Sequence, residues 1–94
     1  MKPRWTRLAL EDLSRAHDHI AGESPAAAAD VVERIEQTAA MLARHPRLGR
    51  PGRVEGTREL IVAGTPFVIA YRVQAGRAEI LAVIHAARRW PDAP

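Results

Sequence analysis

The chain has 94 residues, 47% hydrophobic and 27% charged, and contains no cysteine. This composition excludes a disordered or low-complexity chain, and the missing cysteine excludes a disulfide scaffold, a thiolate metal site and a cysteine nucleophile together. Fourteen basic residues against 11 acidic ones give a net charge of +3, and all the basic residues but Lys2 are arginines, whose planar donor fork suits phosphate and carboxylate.

The length predicts a single domain over residues 1–94. The start, Met1-Lys2-Pro3-Arg4-Trp5, is charged and no apolar export segment follows it. The uncharged run at residues 60–71 is broken by Gly64 and Pro66 and falls short of the roughly 20 apolar residues that span a bilayer. No membrane association is therefore predicted, and the absence of staples fits a reducing cytoplasm.

Residues 2–5 read as extended, because Pro3 restricts its neighbour. Thr6 is placed to cap a helix over residues 7–21. Ala9, Leu13, Ala16 and Ile20 recur at helical spacing and form its inner stripe, with Asp12, Arg15 and Asp18 on the wetter side. Gly22 is expected to end the helix in a left-handed conformation. Ser24-Pro25 restarts a helix, predicted over residues 25–44. Its inner stripe is Ala28, Val32, Ile35, Ala39 and Leu42, with Val31 beside it. The short turn between the helices forces an antiparallel hairpin.

Residues 45–56 hold two prolines and three glycines and read as an irregular loop. Arg44, Arg47, Arg50, Arg53 and Arg58 lie in or beside it, opposed only by Glu55 within that stretch. They form a basic patch that would face nucleic acid, an acidic protein segment or water. Three β runs follow, over residues 57–63, 66–73 and 77–85, joined by turns short enough to imply an antiparallel meander. In the middle run Phe67, Ile69, Tyr71 and Val73 alternate with Val68, Ala70 and Arg72, so the first set should pack on the helix hairpin. The fold class is α+β: a short N-terminal strand and an antiparallel helix hairpin packed on a small antiparallel β-meander.

No phosphate-binding loop, dinucleotide fingerprint or nucleophile elbow is present. His17 and His19, two apart, point to different helix faces, so no metal site is predicted there, and no cofactor is implied. Arg58, Arg72, His85, Arg88 and Arg89 remain at the rim of the predicted sheet. They would either grip a phosphate, with His85 as acid or base, or form surface ion pairs with Glu59 and Glu79.

Several pieces, taken in order, resemble the RelE/ParE superfamily, the toxins of type II toxin–antitoxin modules. They are Trp5-Thr6 with Ala9 and Asp12-Leu13, the Ser24-Pro25-Ala26-Ala27 helix start, Arg34-Ile35, and Leu42 with His45-Pro46-Arg47-Leu48-Gly49-Arg50. Gly56-Thr57-Arg58-Glu59-Leu60, the run from Thr65 to Val73, and Ile80-Leu81 with Val83-Ile84-His85-Ala86-Ala87-Arg88 complete the series. The resemblance implies that the first strand joins the sheet beside the later strands. It also implies a cytoplasmic antitoxin whose C-terminal segment wraps the toxin in a hetero-oligomer.

RelE-like members cleave mRNA on the ribosome, and ParE-like members poison DNA gyrase. A RelE-like chain would draw its catalytic set from Arg58, Arg72, His85, Arg88 and Arg89. However, Phe67 stands where such nucleases carry an early arginine, and the tail after Arg89 has neither Tyr nor Lys. The Gly-Thr-Arg-Glu-Leu and Ala-Tyr-Arg-Val pieces look ParE-like. In that branch Arg58, Arg72, Arg88, Arg89 and Trp90 would bind the target, and Arg44, Arg47, Arg50 and Arg53 would form the basic loop or receive an acidic, apolar antitoxin segment. A third reading is a degenerate toxin that only binds its antitoxin.

Overall fold

The computed structural model describes residues 1–86. It contains strand β1 (Arg4–Trp5), helices α1 (Arg7–Ala21) and α2 (Pro25–Ala40), a 3-10 turn (Met41–Ala43), and strands β2 (Arg50–Pro51), β3 (Arg58–Ile61), β4 (Phe67–Gln74) and β5 (Arg77–His85). The five strands form one sheet in the order β1-β5-β4-β3-β2. The meander is antiparallel, but β1 runs parallel to β5, with Trp5 opposite Ile80. The first strand thus joins the sheet beside the last, as the resemblance implies, and the sheet is mixed.

Both helix starts follow from their caps. Thr6 Oγ1 accepts from Ala9 N at 3.2 Å, and Ser24 Oγ accepts from Ala27 N at 3.2 Å. The end of α1 differs from expectation. Gly22 is right-handed, at φ −59°, and the amides of Glu23 and Ser24 both close on Ile20 O. The chain therefore leaves the helix by tightening its last turn, and extended Ser24 makes the reversal. The helical stretch after Pro25 reaches residue 43 only by tightening at Met41, one turn before the loop.

The main apolar cluster lies between the helices and one sheet face. Ala9 and Ala16 of α1, and Ile35, Ala39 and Leu42 from α2 and its 3-10 turn, meet Phe67, Ile69, Tyr71, Ala78, Ile80 and Val83. The alanines of α1 let the helix lie close to β5. A bulge at Leu81 lets Ile80 and Val83, three residues apart, share the helix-facing side: Tyr71 pairs with Ile80 and Ala70 with Ala82. The opposite sheet face carries a smaller buried cluster of Ala70, Ala82 and Ile84, with Arg72 exposed at its end. The β4–β5 connection is the two-residue turn Ala75–Gly76, both at positive φ, which matches the twist of a hairpin.

Two expectations require correction. Asp12 is not simply on the wet side of α1: its Oδ2 accepts from Val83 N at 3.0 Å. That amide points past the end of two-residue β1, so a carboxylate on the covering helix completes the strand edge. The stretch 45–56 is not wholly irregular either. Arg50 and Pro51 pair with Glu59 and Arg58, which is possible because proline is tolerated on an edge strand.

Candidate functional site

Apart from the Arg4–Glu79–Arg72 cluster on the outer sheet face, two regions of the described residues bring polar side chains together. The first is a cleft of about 560 Å³ between α1 and the β4–β5 end. Its floor is Ala16, Ile20, Phe67 and Val83, and its rim carries Asp12, Arg15, His19 and His85. Phe67 meets His85 edge-on, with ring centroids 5.5 Å apart. Asp12 is engaged on both oxygens, since Oδ1 also accepts from Arg15 at 3.4 Å. The cleft therefore presents an apolar floor under a cationic and imidazole rim. The sequence reading missed Asp12, Arg15 and His19 as lining residues. Their recurrence with Ala16 at intervals of three and four was the signal available.

The second region is the 45–56 loop, which grips the edge of β3 from both faces. Side chains alternate along a strand, so Arg58 and Glu59 project to opposite sides. Arg58 donates to Gly49 O at 2.7 Å and to Arg47 O at 3.3 Å. Glu59 is almost fully buried, accepts from Arg53 N at 2.9 Å, and pairs with Arg53 Nε at 3.5 Å and Arg50 at 3.8 Å. A third anchor comes from β4, where the buried Tyr71 hydroxyl accepts from Gly49 N at 2.8 Å. Gly49 is required there for space: a Cβ would lie 2.8 Å from both Glu59 O and Tyr71 Cε1. Gly52 N closes the loop on Thr57 O at 2.8 Å.

The predicted rim set is thus spread out in the fold. Arg58 holds loop carbonyls. Arg72 pairs across the strands with Glu79 at 2.6 Å on the face away from the helices, where Glu79 also lies 4.0 Å from Arg4. His85 sits opposite Phe67 at the other end of β4, five residues from Arg72, or about 17 Å at strand rise. Arg88, Arg89 and Trp90 lie outside the described residues. Glu79 forms the cross-strand pair expected from sequence. Glu59 is instead a buried anchor, because β2 and the loop close over it. Arg44 and Arg47 are exposed, and their guanidinium groups have no acceptor among the described residues.

Among the described residues, no three His, Asp or Glu side chains gather as metal ligands, and no helix is long and apolar enough to cross a membrane.

Comparison with known proteins agrees with this architecture. The family described as ParE toxin of type II toxin-antitoxin system, parDE, matches residues 4–90. The putative toxin Y4kP of Sinorhizobium fredii is 46% identical over 89 residues, covering 95% of this chain and 92% of that protein. Toxin RelE2 of Caulobacter vibrioides is 40% identical over 84 residues, covering 89% and 93%. A solved structure described as the chromosomal ParDE TA system from P. aeruginosa superposes with a TM-score of 0.82 at 31% identity, covering 90% of this chain and 95% of that one. With its fold, its order of motifs and relatives matched over more than nine-tenths of their length in agreement, the chain belongs to the ParE toxin family of type II toxin–antitoxin systems.

Proposed function

We propose that this toxin acts in the cytoplasm as a poison of DNA gyrase and is neutralised by a cognate antitoxin. The observation that carries the non-nuclease reading is the separation of Arg58, Arg72 and His85. A phosphoryl-cleaving site needs its charge stabilisers and its acid or base around one phosphate. Here Arg58 is spent on backbone carbonyls, Arg72 on Glu79 across the sheet from His85, and the aromatic ring of Phe67 lies against His85. The antitoxin has a fitting place in the cleft beside α1. Its floor would take apolar anchors, and Arg15, His19 and His85 would meet acidic groups. A segment that folds on binding suits such a groove.

The test is induced expression without antitoxin. DNA breaks with an SOS response support the reading. Translation arrest with cut mRNA overturns it, and normal growth leaves a chain that only binds antitoxin. His85→Ala sharpens the result, because loss of a general acid or base costs about two to four orders of magnitude in rate. A gyrase poison should keep most of its toxicity with that change.

A further inference from the structure

The stretch from Met41 to Leu48, anchored by buried Leu42 within it and ending at buried Gly49, forms an exposed knob. Met41 O accepts from the amides of Arg44 at 3.3 Å and His45 at 3.0 Å, and His45 O accepts from Leu48 N at 3.1 Å. Two consecutive turns therefore hold Met41, Arg44, His45, Arg47 and Leu48 close along one short, exposed stretch of chain. Met41 is 49% exposed and Leu48 45%. No acidic residue occurs from Gln37 through Val54. The knob's roots are fixed, at one end by Leu42 in the core and at the other by Gly49 under Tyr71 and Arg58.

We propose that this knob is the surface that meets the toxin's cellular target, and that it fits an acidic, partly apolar surface on a folded protein. This rests on the toxin reading above. Charge selects an acidic partner: Arg44 and Arg47 project with no acceptor among the described residues, whereas Arg50, Arg53 and Arg58 are engaged by Glu59 and the loop carbonyls. The half-exposed Met41 and Leu48 favour protein over nucleic acid. A phosphate backbone rewards cations alone, while Met and Arg are the types enriched at protein interfaces. Rigidity separates the target from the antitoxin. A knob fixed before contact lowers the ordering cost of docking on a folded surface, whereas a segment that folds on binding supplies its own fit and has the α1 cleft.

The test uses the full chain carrying Arg44→Glu with Arg47→Glu and, separately, Met41→Ser with Leu48→Ser. Each is compared with wild type for melting temperature, affinity for the cognate antitoxin, affinity for purified DNA gyrase, and growth arrest on induction. Both variants should melt near the wild-type temperature, bind antitoxin within about threefold of wild type, and lose growth arrest, with gyrase affinity reduced at least about tenfold for the charge reversal. Toxicity retained in both variants overturns the inference while leaving the toxin reading intact. So does a variant whose only loss is salt-dependent affinity for duplex DNA, which would make the knob a nucleic-acid contact, or whose antitoxin affinity falls in step with its toxicity. A toxic wild type that ignores gyrase overturns the gyrase reading alone, since loss of arrest in the variants would still mark the knob as the target-facing surface. A wild type that does not arrest growth overturns both.

Discussion

The helix–sheet core and the 45–56 loop are held by different physics through the same strand. On β4, Phe67, Ile69 and the Tyr71 ring pack under the helices, where removal of apolar surface from water is the driving force. The hydroxyl of that same Tyr71, with Arg58 and Glu59 on β3, holds the loop through directed polar contacts. A core tolerates hydrophobic exchange of similar volume. The loop depends on single atoms at single places. A small domain can therefore carry a long, proline- and glycine-rich segment in a fixed shape without giving it an apolar core of its own.

Substitutions in the two regions should separate these mechanisms. The largest effect is expected in the core. Ile35 is fully buried, and truncation to Ala should cost about 2–5 kcal/mol, a fall in melting temperature of at least about 8 °C. A wild-type melting temperature would remove α2 from the core. Next is Gly49→Ala, whose Cβ would press on the β3 backbone and the Tyr71 ring. Overpacking of this kind costs about 1–3 kcal/mol. If calorimetry finds no loss, the close approach of loop and sheet is not as described.

Tyr71→Phe sharpens the comparison because it keeps the ring and removes only the hydroxyl. The buried Gly49 amide would lose its acceptor, at a cost of about 1–3 kcal/mol. Denaturant unfolding should show that loss, while the far-UV circular dichroism and tryptophan emission of the folded protein stay native. A change in both would mean that the ring and hydroxyl roles cannot be divided. The smallest effect should come from Arg15→Ala. Its contact with Asp12 is solvent-exposed on the arginine side, and such pairs contribute about 0–1 kcal/mol. A stability loss well above that would make the cleft rim a structural element rather than the proposed binding surface.

The core was legible in the sequence because periodicity reports burial directly. The alternation on β4, both helix caps and the Ala28–Val32–Ile35–Ala39–Leu42 stripe came from local pattern alone, although Val32 is only half-buried and its neighbour Val31 packs against the core instead. What was not legible depended on partners distant in sequence. Asp12 reads as a wet helix residue until β5 brings the Val83 amide beside it, 71 positions away. Glu59 reads as a surface charge until β2 and the loop close over it. Arg58 reads from sequence as a phosphate- or target-contacting residue, and its carbonyl acceptors appear only once Gly49 is tucked beneath Tyr71. Gly22 carried a misleading signal: glycine permits a left-handed helix end but does not require one. The basic patch was visible as composition, and only the fold divides it into engaged arginines and the exposed pair Arg44 and Arg47.

Both the assignment of the knob and the division between target and antitoxin surfaces need the 45–56 segment to be as well held as the strands beneath it. Native-state amide hydrogen exchange measures this directly, because local opening free energies range from near zero in mobile loops to the global value in core strands. The amides of Gly49, Gly52 and Arg53, bonded to Tyr71, Thr57 and Glu59, should exchange slowly, approaching Ile69 and Ile80 in protection. In Tyr71→Phe the protection of Gly49 should fall further than that of Ile69 and Ile80, which should fall only with the global stability. Exchange of all three loop amides at free-chain rates in the wild-type protein, with the core still protected, would contradict a pre-formed recognition surface.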